Sequence, residues 1–169
     1  MNDPLSLIYE AHVIKKKDPF QDIYDRIKII NGQKIIKGDV SVFNKKLTKL
    51  PNLHDVHVTG WFDCSHNDLT SLEGSPRSVG LNFDCGYNKL ISLKGAPKSV
   101  DGYFYCINNN ITDLEGGPES VGEYFYCDKN PLPKDILKIM NPKEYQEYRK
   151  KHNLQKEFGN DIGQTIYDL

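Results

Sequence analysis

Four cysteines stand at even intervals, Cys64, Cys85, Cys106 and Cys127, each 21 residues after the last. Cysteine pairs make disulfides and cysteine quartets hold zinc, so the spacing must be tested against both chemistries. If equal steps mark successive turns of a repeat, the four side chains form a row with about 4.8 Å between neighbours. That is wider than the ~3.5–4.5 Å between the Cβ atoms of a disulfide, and a row cannot place sulfurs at the corners of zinc's tetrahedron. The thiols are expected to be small buried core groups in a reducing compartment. The second reactive set is His54, His57 and His66 with Asp55 and Asp63. Such groups bind metals or move protons, but His54 and His57 fall in a connecting limb while Asp63 and His66 fall at or beside a strand. The expectation is a solvated limb, with no metal site and no catalytic group. There is no Gly-rich phosphate loop, nucleophile elbow or two-histidine zinc helix, so neither an enzyme nor a cofactor is expected.

The elements that position these residues follow from the same 21-residue step. Phe62, Phe83, Phe104 and Phe125 keep it, as do Asn67, Asn88, Asn109 and Asn130, and Leu69, Leu90, Ile111 and Leu132, with Val58, Val79, Val100 and Val121 beside them. One unit reads L-T-S-L-E-G-S-P-R-S-V-G-L-N-F-D-C-G-Y-N-K. A fixed step of this length marks a solenoid, in which each unit buries its apolar side only when its neighbour stacks on it. Phe and Cys alternate with other residues at period two, so they point inward from a short strand, Asn82 to Cys85 and its equivalents. The Asn that follows can hydrogen-bond backbone groups where the chain leaves the strand. The Gly-x-Pro that comes next predicts an extended, polyproline-like return limb.

The phrase F-D-C-S-H-N-D-L-T-S-L resembles the leucine-rich repeat pattern L-x-L-x-x-N-x-L-x-x-L, with Phe62, Cys64, Asn67, Leu69 and Leu72 on its fixed positions. The short unit with Pro in its return limb is similar to the bacterial-effector type. The S-L-E-G-x-P wording is similar to small repeat proteins of tailed bacteriophages. Gly-x-Pro stands where effectors carry Leu-Pro-x-Leu-Pro. The resemblance covers Leu47 to Pro131 and implies an α/β solenoid with a short parallel sheet on its concave face, used for binding. The phage likeness implies a protein that inhibits or redirects a host protein, such as a defence or regulatory factor, in the host cytoplasm.

The residues pointing out of that sheet form three columns. They are Trp61, Asn82, Tyr103 and Tyr124; then Asp63, Asp84, Tyr105 and Tyr126; then Ser65, Gly86, Ile107 and Asp128. The four tyrosines make a two-by-two block on neighbouring strands, with Trp61 and Ile107 close by. Rings of ~150–250 Å² each, even half exposed, reach the ~300–600 Å² of the largest patch on an ordinary monomer. The predicted partner-binding residues are therefore Trp61, Asp63, Asn82, Asp84, Tyr103, Tyr105, Ile107, Tyr124, Tyr126 and Asp128. The acidic members favour a partner with Lys or Arg at its rim. Cross-strand tyrosine stacking that only stabilises the sheet, a tail folded back over it, a bound nucleotide or sugar, and self-assembly remain as alternatives.

The chain divides into an N-terminal cap (1–46), repeats (47–131), C-terminal capping helices (132–153) and a tail (154–169). In the first cap, Asp3-Pro4 and Asp18-Pro19 predict helices over Pro4 to Lys16 and Pro19 to Asp25, with continuation of the second through Ile23 to Ile30 as the alternative. Asn31-Gly32 predicts a type I′ hairpin between Ile27–Ile30 and Lys34–Ile36. Val40 and Val42 open a degenerate first unit. In the second cap, Pro133 to Met140 and Pro142 to Asn153 are predicted helices, with Leu132, Ile136, Leu137, Ile139 and Tyr145 turned inward. Of 169 residues, 45 are Leu, Ile, Val or Phe, about 27% against the ~20% below which chains stay disordered, and the length suits one domain. The net charge is −1 overall, while Leu47 to Pro131 carries six basic against eleven acidic residues. That face repels phosphate backbones, so nucleic acid is not the expected partner, and the Lys15–Lys17 run is read as a solvated helix end. No apolar run reaches the ~18 residues of a membrane span, and Met1 to Lys17 lacks the basic-then-apolar plan of a secretion signal. A cytoplasmic chain is the expectation.

Overall fold

The computed structural model describes residues 18–136, 138–152 and 154. The expected helix over Pro4 to Lys16, the Lys15–Lys17 run and the tail beyond Leu154 lie outside these residues. The described chain opens with one turn of helix, α1 (Gln21–Tyr24), shorter than expected. Asp18 starts it by accepting the Phe20 N–H at 2.8 Å. Phe20, Ile23, Tyr24 and Ile27 lay their apolar side on the core. The hairpin follows as anticipated: β1 (Lys28–Ile30) and β2 (Gln33–Ile36) pair antiparallel with Ile30 opposite Gln33. Asn31 and Gly32 both have positive φ, 49° and 77°, which is what a type I′ turn demands.

From β2 onward the chain winds as a β-solenoid of parallel strands. Each turn contributes to two sheets. One carries Phe inward and consists of β3 (Val40–Ser41), β5 (Phe62–Asp63), β7 (Phe83–Asp84), β9 (Phe104–Tyr105) and β11 (Phe125–Tyr126). The other carries Val inward and consists of the hairpin followed by β4 (Val56–Val58), β6 (Ser78–Val79), β8 (Ser99–Val100) and β10 (Ser120–Val121). The registers are strict, Phe62 beside Phe83 beside Phe104 beside Phe125, and Val58 beside Val79 beside Val100 beside Val121. The expected polyproline-like limb is corrected by this second sheet. Pro76, Pro97 and Pro118 fix φ but stand two residues before each Ser-Val pair, so the missing N–H falls outside the ladder. Arg77 and Gly80 are then free to donate to the Val56 and Val58 carbonyls at 2.9 Å. The glycines two residues before those prolines are needed for their shape. Gly74, Gly95 and Gly116 have φ of 93°, 86° and 74°, and a Cβ on Gly95 would stand 2.5 Å from the Glu73 nitrogen.

Between the sheets the core is one column of rings flanked by aliphatics. The Phe62, Phe83, Phe104 and Phe125 rings stack with centroids 5.6, 5.3 and 5.0 Å apart. Each Asn of the ladder bridges two turns. The Asn88 amide donates to the Cys64 carbonyl of the turn before at 3.0 Å and to Cys85 and Gly86 of its own at 3.1 and 3.2 Å. Its oxygen accepts the Leu69 N–H at 3.0 Å. Asn109 and Asn130 repeat this pattern one and two turns on.

The C-terminal end departs from expectation. Residues 133–136 form a turn, not a helix, and β12 (Ile139–Met140) follows, pairing antiparallel with β11. A strand satisfies the open edge where a helix would not: the Cys127 N–H donates to the Lys138 carbonyl at 2.9 Å. Alternation then sets Met140 inward and Ile139 outward at 51% exposure, correcting the inward reading of Ile139. Leu132, Ile136 and Tyr145 are buried as expected, and Leu137 lies outside the described residues. The second helix, α2 (Pro142–Lys151), forms behind an Asn141–Glu144 capping box. Its Tyr145 is the last rung of the phenylalanine stack, 4.5 Å from Phe125. Its buried Arg149 donates to the Gly117 and Pro118 carbonyls at 2.9 and 2.7 Å, groups that face no further turn. No helix among the described residues is long and apolar enough to cross a membrane.

Asn88→Ala strips one N–H and three carbonyls of their partner inside the stack. We expect a loss of about 3 kcal/mol in urea unfolding, against less than about 0.5 kcal/mol for the exposed Asn110→Ala.

Candidate functional site

Period two along the phenylalanine sheet drives Phe and Cys inward and leaves their neighbours on the outer face. Tyr103, Tyr105, Tyr124 and Tyr126 meet there as the sequence columns imply. Tyr105 and Tyr126 stack at 5.0 Å, Tyr103 and Tyr124 at 6.5 Å, and Tyr103 with Tyr105, Tyr103 with Tyr126 and Tyr124 with Tyr126 lie 5.8–6.2 Å apart. Tyr124 is the most open of the four, at 43%. Burial, then the Tyr126 and Tyr103 phenols and Asp84, raise the Tyr105 hydroxyl above its ordinary pKa.

The same face holds an open cleft of about 230 Å³ lined by Trp61, Phe62, Asp63, Asn82, Asp84 and Tyr105. It exists because Asn82 is the one member of its column that is not aromatic, which leaves a gap between Trp61 and the tyrosines. The Asn82 oxygen accepts the Tyr103 N–H at 3.0 Å. Asp63 accepts the Ser65 N–H and hydroxyl at 2.9 and 2.7 Å, and Asp84 accepts the Gly86 N–H at 2.8 Å. These short turns pin each carboxylate by one oxygen. Burial raises the Asp84 carboxyl above the usual range, the Gly86 N–H opposes that, Asp63 adds to it, and His66 opposes it.

Eight of the ten residues read from the sequence fall into two adjoining groups that share Tyr105. Trp61, Asp63, Asn82 and Asp84 belong to the cleft; Tyr103, Tyr124 and Tyr126 belong to the block. Ile107 lies over Gly86, where a Cβ would come within 3.1 Å of its side chain. Asp128 is half-buried in the next turn, in neither group. Two features of this face escaped the sequence reading. Ile139 stands opposite Tyr126 across β11 and β12 and extends the block. Along one margin Phe43 meets His66 in a tilted contact at 5.1 Å and His66 stacks on Tyr87 at 4.3 Å; His66 and Tyr87 occupy the column just before the asparagines, so the register held the signal.

The histidine set does not converge. His54 bonds Asn52, His57 bonds Ser78 at 2.8 Å, and Asp55 pairs with Lys34 at 2.7 Å. That hydrogen bond from Lys34 lowers the Asp55 carboxyl. No group of three His, Cys, Asp or Glu that could hold a metal occurs among the described residues. The four thiols are buried, and each contacts a carbonyl of the neighbouring strand, Cys85 with Tyr105 at 3.2 Å for example. Burial raises all of them, Cys127 to about 12. Compared with known protein families, curated proteins and solved structures, the chain matches none.

Two outcomes follow. A thiol reagent at pH 8 should leave the native protein unmodified and label the four cysteines once urea unfolds it. For Asp84, a carboxyl whose native pKa is raised binds its proton more tightly folded than unfolded, so stability falls as pH rises from the unfolded value of 3.8 through the native one. Asp84→Asn removes that loss. Its urea midpoint should exceed that of the wild type at pH 7, with the difference vanishing below pH 3.8.

Proposed function

We propose that the chain is a non-enzymatic protein-interaction module that binds a partner protein through the outer face of the phenylalanine sheet. The observation that carries this is the tyrosine block, four rings within 6.5 Å of their neighbours on the outer face. Tyrosine presents a large rigid area with a hydrogen-bonding tip, which is why Tyr and Trp dominate interface energies. Ile139 and the Phe43–His66–Tyr87 margin enlarge the contact area. The acidic balance of the repeats selects a partner with basic residues at its rim.

The unit belongs, on this reading, to the leucine-rich repeat kind, with Val-sheet limbs in place of longer returns. The likeness to tailed-phage repeat proteins makes the partner a bacterial host protein, met in the host cytoplasm and inhibited or redirected by occlusion. The test is capture from bacterial lysate, identification by mass spectrometry, and titration of the purified partner against wild type and a Tyr103→Ala, Tyr105→Ala, Tyr126→Ala variant whose circular dichroism is unchanged. We expect the variant to bind at least about 100-fold more weakly, since interface tyrosines commonly contribute over 1 kcal/mol each. Equal affinity would remove the face from the binding site. Concentration-dependent light scattering of the protein alone, with no captured partner, would replace this reading with self-assembly.

A further inference from the structure

The cleft beside the tyrosine block has a composition of its own. Its walls are Trp61 and Tyr105, and between them lie Asp63, Asp84 and Asn82. The two carboxylates sit in register on neighbouring parallel strands, a like-charge juxtaposition that works against the sheet. Neither is joined to a basic residue in an ion pair among the described residues, unlike Asp55 with Lys34, Asp68 with Lys89 and Glu119 with Lys98. The basic group that acts on Asp84 is His66. One oxygen of each carboxylate is held by its own turn, which leaves the other for a donor from outside.

Dimensions narrow the occupant. Trp61 and Tyr105 rise from turns two apart, so their chains are separated by roughly 9.6 Å, twice the ~4.8 Å strand spacing. Tyr105 also lies two residues further along its strand than the level of Trp61, about 6.6 Å, so an ion midway is about 6 Å from each chain, at the ~6 Å reach of a cation–π contact. The volume of about 230 Å³ is below the ~300–1,000 Å³ of sites for drug-sized ligands, and two carboxylates repel phosphate, so a nucleotide is excluded on both counts. No group of three His, Cys, Asp or Glu that could hold a metal occurs among the described residues, so a divalent ion in the cleft would draw most of its six or more oxygens from water.

We infer that the Trp61–Tyr105 cleft receives one organic cation, an alkylammonium or guanidinium head, presented by the partner as a Lys or Arg side chain. The inference rests on the outer face being a protein-binding surface, and it assigns the cleft the anchoring residue of that partner.

Trp61 is the sole tryptophan of the chain, so its fluorescence reports the cleft directly. The full-length protein is titrated with N-acetyl-lysine amide, N-acetyl-arginine amide, neutral N-acetyl-norleucine amide and calcium chloride. We expect a saturable change with the two cationic amides, none with norleucine amide or calcium, and weakening with added salt. Asp84→Asn and Asp63→Asn, each with unchanged circular dichroism, should weaken the cations at least 10-fold. A short peptide holding the same Lys or Arg between apolar residues should bind at least 10-fold tighter than the amide, because the tyrosine block lies alongside. An equal response to norleucine amide, affinity unchanged in both variants, or saturation by calcium alone would overturn the cation site. A free amide as tight as the peptide would overturn the side-chain source and leave a small-molecule cation. A partner lost on tyrosine substitution with no amide binding would sink this inference while the interaction face stands. Amide binding with no partner would keep the cation site and overturn the partner as its source.

Discussion

The asparagine ladder is the constraint on which the rest of the molecule depends. A turn of 21 residues has too little chain to bury its own backbone, and where it leaves the phenylalanine sheet its carbonyls point into the core. One amide per turn answers them: Asn109 donates to Cys85, Cys106 and Ile107 carbonyls and accepts the Leu90 N–H of the turn before. Since a buried polar group without a partner costs about 1–3 kcal/mol, no isosteric apolar residue serves. The same bonds fix the axial register, so Phe stacks on Phe and the outward residues are held in columns.

That register explains what was legible from the amino-acid sequence. Inward and outward assignments at Phe83, Asp84 and Cys85 required only period two and a fixed step, and the Asn31-Gly32 hairpin announced itself by its turn chemistry. The Ser-Val strands were less legible because two residues are too short for a periodic signal and the nearby Pro argued against a ladder. The corners at His66, Tyr87, Asn108 and Lys129 adopt φ of 54–57° without glycine, a cost that packing carries and composition does not advertise. The segment ending in Ile139 and Met140 read as a helix because its local residues permit one; the unpaired edge of β11, visible only in three dimensions, made it a strand. The columns named every cleft-lining residue except the inward Phe62. The cleft itself needed the missing ring at Asn82 to be seen between Trp61 and Tyr105.

The two faces of one short sheet are built differently. Phe104 is wholly buried in a ring stack that ends on Tyr145 of the capping helix, whereas Tyr105, its neighbour in the chain, lies half-buried on the outer face against Tyr103 and Tyr126. The inward row holds the solenoid together. The outward row forms a broad aromatic surface with an acidic cleft at its side, which is the physical reason for proposing it as a recognition face.

Urea unfolding of Phe104→Ala beside Tyr105→Ala tests this division most directly, since the two side chains share a strand and differ only in the face they occupy. The expected losses are about 4 kcal/mol for Phe104→Ala and about 1 kcal/mol or less for Tyr105→Ala. Equal losses would mean that the outer rings are structural, and the face would lose its claim to be a binding surface.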